Sequence, residues 1–304
     1  MLQSLLVPLD GSEFSERTLP LAQALAKATG ASLHLVHVHV PHPPDHFLSN
    51  TQFHYEGLDL EEYEAHHREQ EQAYLDEVRA RVSKDTPVDV ALLEGHVAEE
   101  VAQHAGTVKA DMVLITTHGH TGVSRMWLGS VADALVRCTN LPLLVVHPAF
   151  GSHVPLEVRS FRHIMVPLDG SELSASILGP TSDLAKATGA MLTLVHVVSS
   201  SAVLGTRIFP VLPDDITPAM EKAREYLDGK AAELRAKGLT VETHVEEHEA
   251  PGRAIAAIAD KLDADLVALA THGYGGLKRA LLGSVADKVL RSSPLPLLIQ
   301  RPAG

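Results

Sequence analysis

Two loops in the sequence have the residue types of a phosphate-binding turn. The first follows the apolar run at residues 112–115 and contains Gly119, Gly129 and Ser130. Glycines let the backbone approach an oxyanion closely, and the first amides of a helix direct the positive end of its dipole at that anion. A segment with a helical pattern, residues 131–137, comes directly afterwards. The pattern therefore predicts an anion-binding turn between a buried strand and a helix.

The same loop occurs a second time near the end of the chain. It contains Gly273, Gly283 and Ser284, and nine residues separate the two glycines in both loops. No lysine follows these glycines at the spacing of a Walker motif, which excludes a P-loop NTPase.

The recurrence of the loop is part of a repeat that runs along the whole chain of 304 residues. Three early blocks return with an offset of 159 residues: 7–13 as 166–172, 26–31 as 185–190, and 35–38 as 194–197. A later block, residues 110–148, returns as 264–302 with an offset of 154. One domain has therefore been duplicated, which suits ordinary domain sizes. We expect a first domain at residues 1–148, a linker rich in Gly and Pro at 149–160, and a second domain at 161–304.

Within each copy, apolar runs alternate with helical patterns. In the first copy we expect strands at residues 5–9, 33–40, 88–93, 112–116 and 141–146, and helices at 12–30, 61–82, 97–105 and 130–138. Ser12 is placed to cap the first helix, Gly30 to end it, and Pro20 to kink it early. Strands separated by helices predict a parallel sheet covered on both faces, which is a doubly wound α/β domain. Ligands of such sheets bind beyond the carboxyl ends of the strands, where the strand order reverses.

Composition excludes several classes of partner. The net charge is −13, and residues 1–150 carry 20 acidic and 9 basic residues, so we expect neither nucleic acid nor an anionic membrane surface as a partner. The single cysteine, Cys138, excludes a disulfide framework within the chain and fits a reducing compartment. The amino terminus has no secretory pattern and no apolar run approaches the ~20 residues that span a bilayer. We therefore expect a cytoplasmic protein.

These motifs together resemble the universal stress protein family, in its ATP-binding branch and in tandem form. The resemblance covers both copies apart from the linker and residues 41–60. It depends on the Pro-x-Asp-Gly-Ser start, on His-Val at the end of the second strand, and on the loop G-x2-G-x9-G-[ST], whose first glycine is replaced by Thr116 and Ala270. The resemblance implies a Rossmann-like fold of the adenine nucleotide α-hydrolase type in each copy.

The resemblance also implies an ATP site in each copy, with Mg²⁺ or Mn²⁺ bridging the phosphates. A carboxylate would accept hydrogen bonds from the ribose, backbone groups of a valine would meet the adenine, a proline would line the pocket, and amides at a helix start would receive phosphates, with an arginine in the loop as a cationic aid. In the first copy these roles fall to Asp10, Val38, Pro8, the amides of Ser130 and Val131, and Arg125, while Thr116, Gly119 and Gly129 occupy the three glycine positions of the loop. In the second copy the same roles fall to Asp169, Val197, Pro167, the amides of Ser284 and Val285, and Arg279, while Ala270, Gly273 and Gly283 occupy the three glycine positions of the loop.

Each feature also has a plainer interpretation. Asp10 before Gly-Ser is also typical of a turn or cap, Ser130 of a helix start, and the two loop arginines of a solvated surface. The function that we expect is an ATP-binding stress-response or signalling module with at most slow hydrolysis. The alternatives are an interaction module of the same fold that binds no nucleotide and a weak metal-dependent ATPase.

The chain has 19 histidines, several of them between residues 34 and 46. His37 and His39 lie two apart on a strand and so share a face. Imidazoles suit zinc, nickel or copper, although a strand position and a proline-rich loop explain these residues more simply.

The last strand of each copy, at residues 141–146 and 295–299, is apolar and needs a partner. The family resemblance implies that these two strands pair within the chain about a pseudo-twofold axis. It also leads us to expect that two chains assemble as a dimer.

Overall fold

Each copy of the repeat folds as alternating strands and helices. The computed structural model describes residues 2–41, 60–82, 86–116, 129–146, 161–199, 216–271, 284–292 and 295–302. The first copy contains β1 (Ser4–Pro8), α1 (Glu13–Glu16), α2 (Leu19–Thr29), β2 (Ser32–His39), α3 (Leu60–Arg81), β3 (Val88–Glu94), α4 (Val97–Thr107), β4 (Met112–Thr116), α5 (Ser130–Cys138) and β5 (Leu143–Val146). The second contains β6 (His163–Pro167), α6 (Glu172–Ala175), α7 (Leu178–Thr188), β7 (Met191–Val198), α8 (Thr217–Ala236), β8 (Val241–Glu247), α9 (Pro251–Lys261), β9 (Leu266–Ala270), α10 (Ser284–Ser292) and β10 (Leu297–Gln300).

The strands form one ten-stranded sheet in the order β3-β2-β1-β4-β5-β10-β9-β6-β7-β8. Neighbours within a copy are parallel, and the two copies join where β5 pairs with β10 in the antiparallel direction. Leu144 and Leu298, which occupy equivalent places in the repeat, are register partners in that pair. The predicted pairing of the last strands is therefore present, and it places them at the centre of the sheet.

Helices cover both faces of the sheet because the strand residues are apolar on both sides. Leu5 and Val7 of β1 pack with α2 and with Leu75 of α3 on one face, whereas Leu6 packs with Val101 of α4 and Leu135 of α5 on the other. This arrangement confirms the predicted α/β class.

Local signals set the ends of the first helical segment. The Ser12 side chain accepts a hydrogen bond from the amide of Ser15, so Ser12 is the N-cap of α1. Gly30 ends α2 with a φ of 75°, a left-handed conformation that costs glycine little. The single predicted helix is in fact two, because the chain leaves the α1 helix after Glu16 and α2 begins at Leu19 with Pro20 in its first turn, where proline is tolerated.

Within the described residues, no helix is both long and apolar enough to cross a bilayer. Residues 147–160, which include the predicted linker at 149–160, lie outside the described part of the chain.

Candidate functional site

The residues that follow β1 form a tight turn around the carboxylate of Asp10. Oδ1 of Asp10 accepts hydrogen bonds from the Ser12 amide at 3.0 Å and from the Ser12 hydroxyl at 2.5 Å. The hydroxyl of Ser15 donates to the Ser12 carbonyl at 2.9 Å and accepts from the Asp10 amide at 3.3 Å. Gly11 provides the φ of 79° that the turn requires. The turn therefore holds Asp10 at the carboxyl end of β1.

The second copy builds the same turn with the same distances. Oδ1 of Asp169 accepts from the Ser171 amide at 3.0 Å and from its hydroxyl at 2.6 Å, and the Asp169 amide donates to the Ser174 hydroxyl at 3.3 Å. Both aspartates thus have the turn-forming role that was the plainer of the two predictions. This role is compatible with ligand binding, since a carboxylate has acceptor sites for several donors.

The turn lies at the point where the strand order of each copy reverses. β1 and β4 are parallel neighbours in which Leu5 and Leu6 lie opposite Met112 and Val113, so their carboxyl ends lie at the same edge of the sheet. β4 ends there at Thr116, and β1 is followed there by Leu9. Asp10 comes next in the chain, so Asp10 and Thr116 share the carboxyl edge of the sheet. In the second copy β6 and β9 are the equivalent neighbours, which brings Asp169 and Ala270 to the same edge.

Helix α5 begins at this edge as the sequence predicted. Gly129 is the N-cap, with φ of −53° and ψ of 155°, and no side chain caps the helix. Ser130 is therefore the first helical residue rather than the cap, and its side chain is exposed. The first amides of a helix, here those of Ser130 and Val131, have no intrahelical acceptor and can bind an anion. In the second copy α10 begins at Ser284 and the next side chain, Val285, is 38% exposed.

The remaining predicted residues divide into described and undescribed groups. Pro8 and Pro167 end β1 and β6 and are half-buried. Thr116 and Val38 are buried at 7% and 8% exposure, whereas Ala270 and Val197 are half-buried. The loop positions lie outside the described residues: Gly119, Arg125, Gly273, Gly283 and Arg279.

The sequence predicted a strand position for His37, but it did not predict the tyrosine that lies beside this histidine behind the aspartate turn. His37 packs edge-on against Tyr74, with 6.1 Å between ring centroids, and burial together with the nearby Glu16 carboxylate raises the pKa of Tyr74. In the second copy burial lowers the pKa of His196, partly opposed by Asp169, and burial raises the pKa of Tyr226. Nδ1 of both histidines is buried and has no hydrogen-bond partner among the described residues. The recurrence of a tyrosine in the long helix of each copy could have marked the tyrosine as a position of interest, but it does not indicate the contact with the histidine.

Two histidines of β2, His37 and His39, contact carboxylates of α3. His39 contacts Glu64 and Glu71 through its two ring nitrogens, and His37 lies 3.4 Å from Glu71. No group of three or more His, Cys, Asp or Glu side chains suited to a metal occurs among the described residues, and His42 and His46 lie outside them.

The profile of the Universal stress protein family matches residues 1–147 and again residues 160–301. The chain belongs to the universal stress protein family. A universal stress protein of Mycobacterium tuberculosis is 28% identical over 194 residues, which are 64% of this chain and 62% of that protein. The chain thus spans less than two thirds of the length of that relative. The universal stress protein YxiE of Bacillus subtilis is 32% identical over 148 residues, which are 46% of this chain and 99% of YxiE.

Solved structures of the family share the architecture along the whole chain. The crystal structure of a universal stress protein from Archaeoglobus fulgidus superposes with a TM-score of 0.71 at 19% identity and covers 99% of this chain and 98% of that one. A putative universal stress protein from Pseudomonas aeruginosa gives a TM-score of 0.65 at 18% identity, with 99% and 94% covered. At these identities the likeness concerns the fold, which is two tandem domains of the Rossmann-like adenine nucleotide α-hydrolase type.

Proposed function

We propose that each copy of this universal stress protein binds ATP at the carboxyl edge of its half of the sheet, together with Mg²⁺ or Mn²⁺. The protein then acts as a nucleotide-dependent stress-response or signalling module with at most slow hydrolysis. The observation that carries the proposal is the aspartate turn, which is built with the same hydrogen bonds in both copies at the edge where the strand order reverses. Ligands of doubly wound sheets bind at that place.

The roles of the residues follow from their chemistry. Asp10 and Asp169 accept hydrogen bonds from the ribose hydroxyls, and the amides at the starts of α5 and α10 receive phosphate oxygens. The remaining predicted residues, including the loop glycines and arginines, complete the site around the adenine and the phosphates. A bound Mg²⁺ or Mn²⁺ would neutralise part of the charge of the phosphates.

Calorimetric titration of nucleotide-free protein with Mg-ATP tests the proposal. We expect two equivalents per chain, one equivalent in Gly129→Val, and none in Gly129→Val combined with Gly283→Val. The φ and ψ of Gly129 are accessible to valine, so this change obstructs the approach of phosphate without straining the backbone. Gly229→Ala in α8, where nothing lies within 4 Å of the added methyl group, is the control and should bind two equivalents. Undiminished binding in the double variant would refute the site assignment.

A module that binds no nucleotide is the second candidate. Thr116 and Ala270 stand where the family loop has its first glycine, and a side chain at that position reduces the space for a triphosphate. No heat of binding, together with no nucleotide released from the purified protein, would favour this interaction module. Turnover of ATP that depends on added metal would instead favour a weak ATPase.

We further propose that the protein is cytoplasmic, because its single cysteine fits a reducing compartment. We also propose that two chains form a homodimer, on the basis of the family resemblance. Sedimentation of the same preparation tests the assembly, and a monomer at all concentrations would refute it.

A further inference from the structure

One histidine of the first copy is enclosed between two glutamates. His39, the last residue of β2, is 1% exposed. Its Nδ1 lies 2.8 Å from Oε2 of Glu71 and its Nε2 lies 2.6 Å from Oε2 of Glu64. Both glutamates belong to α3, so this group, called here the His39 cluster, joins the end of β2 to that helix.

The His39 cluster requires a bound proton. A neutral imidazole has one donor nitrogen and one acceptor nitrogen, whereas an ionised carboxylate only accepts. Both contacts can therefore be hydrogen bonds only when the imidazole is protonated or when one carboxylate carries the proton. Either state holds one proton more than a neutral histidine with two ionised glutamates. A histidine in water loses its proton at a pH near 6.5, close to physiological values.

The His39 cluster is one of the contacts that join the first half of α3 to the sheet, and Tyr74, which is partly buried against the core, is another. Residues 61–74 include no buried side chain, and the buried side chains of the helix begin at Leu75 and Val78. The Arg68–Glu94 ion pair, at 3.4 Å, joins exposed side chains, and pairs of that kind contribute little.

The second copy replaces the whole cluster by apolar residues. Tyr74 and Leu75 of α3 correspond to Tyr226 and Leu227 of α8, an offset of 152, and this offset aligns Glu64 with Ile216 and Glu71 with Ala223. The repeat offset of 159 aligns His39 with Val198. Val198 and Ala223 are buried at 6% and 4% exposure. The equivalent helix is thus attached without any titratable group at these three positions, which makes the second copy an internal control.

Other titratable or charged groups also lie around His39 in the described part of the chain. His37 precedes it on β2 and lies 3.4 Å from Glu71. Glu94 is its register partner on β3 and is paired with Arg68 of α3. Tyr74 of α3 packs against His37. His37 is itself half-buried against Glu71, so it adds a second imidazole that favours the contact when protonated.

The cluster adjoins the candidate nucleotide site. Val38, whose backbone is expected to meet the adenine, directly precedes His39. The His39 carbonyl accepts a hydrogen bond from the Gly95 amide at 3.0 Å, which fixes this end of the strand against the loop after β3. A change in how α3 holds His39 therefore acts on the strand end that contributes to the site.

We propose that His39, Glu64 and Glu71 form a proton-dependent latch that fastens the first half of α3 to the end of β2, so that pH regulates the first nucleotide site and not the second. The regulatory part of this statement rests on the proposed function. The latch holds in acid and loosens as the pH rises, because the latched form binds a proton that the open form releases.

Hydrogen exchange measured between pH 6 and pH 8 tests the latch without nucleotide. Protection factors, in which the intrinsic pH dependence of exchange is divided out, should fall about fivefold to twenty-five-fold for residues 61–74, because a histidine with a pKa of about 6.5 in the open form is already mostly protonated at pH 6. Residues 217–226 of α8, which the offset of 152 aligns with residues 65–74, should show no such slope. The variant His39→Val/Glu64→Ile/Glu71→Ala, which copies the second domain, should fold and lose the slope. A flat profile in the natural protein, or a slope that survives in the triple variant, would overturn the latch.

ATP titrations at the same pH values test the regulation. In Gly283→Val, which leaves only the first site, affinity should be weaker at pH 8 than at pH 6, and the triple variant should remove this difference. Gly129→Val, which leaves only the second site, is the reference for titration of ATP itself. Equal pH dependence of both sites would overturn the regulation even if the exchange slope were present. No ATP binding at either pH would refute the proposed function, whereas the exchange data alone would still decide the latch.

Discussion

Removing the carboxylate of Asp10 separates its role in the turn from its role as a ligand. Asp10→Ala eliminates the acceptor for two hydrogen bonds from Ser12, at 3.0 and 2.5 Å. Hydrogen bonds to charged groups contribute about 1.5–3 kcal/mol each when well shielded. Asp10 is half-buried, so we expect a loss of about 2–3 kcal/mol in the free energy of unfolding rather than the full sum. Asp10→Asn keeps an acceptor oxygen at the same place and should cost only about 1 kcal/mol.

Urea unfolding followed by circular dichroism measures these losses. Asp169→Ala removes the equivalent acceptor in the second copy, where the distances are 3.0 and 2.6 Å, and should cost a similar amount. If Asp10→Ala cost less than about 0.5 kcal/mol, or if Asn were no better than Ala, the hydrogen-bond reasoning would be wrong. Calorimetry on Asp10→Asn then isolates the ligand role, because this variant keeps the turn. Loss of one equivalent of ATP would support that role, and two retained equivalents would show that Asp10 serves the turn alone.

Two further predictions concern the core and the response to acid. Leu144→Ala and Leu298→Ala each remove a fully buried side chain and should each lower the free energy of unfolding in urea by about 2–5 kcal/mol. The two residues are register partners, so the double variant should lose at least about 0.5 kcal/mol less than the sum of the two single losses. Strictly additive losses would argue against the pairing of the two strands. Burial lowers the pKa of His196, so the unfolded chain takes up its proton first and stability should fall as the pH drops below about 6.5. A single histidine changes the free energy of unfolding by at most ~1.4 kcal/mol per pH unit, the value for the uptake of one full proton. His196→Gln should lose less stability between pH 7 and pH 5 than the natural protein, and equal slopes in the two proteins would contradict the assignment.

Most element boundaries were predictable because the signals that set them are local. The long helix was expected at residues 61–82 and is Leu60–Arg81, and the strand expected at 112–116 is Met112–Thr116. The fourth helix was expected at 130–138 and is Ser130–Cys138. A capping serine or a strand of apolar residues acts over a few neighbours, so its effect can be read without knowing the rest of the fold.

The candidate site was predictable in its aspartate turn and its helix start, and it was incomplete elsewhere. Asp10, Gly129 and Ser130 lie at the sheet edge as expected, since the repeat displays them twice. Ser15, which completes the turn, has an equivalent in Ser174 and could have been found from the repeat. Tyr74 could not be assigned a contact from its position, because a helix residue 37 places after His37 has no sequence signal for the strand that it meets.

The sequence by itself determined the duplication, the order of strands and helices, and the residues that mark each sheet edge, because periodicity and repetition are properties of the chain alone. Only the tertiary structure decided which distant groups meet. It enclosed His39 between Glu64 and Glu71, which follow it by 25 and 32 residues, and it set Leu144 opposite Leu298. Such contacts depend on how a helix lies across a sheet and on the register of two strands, and neither quantity is encoded by the neighbours of a residue in the sequence.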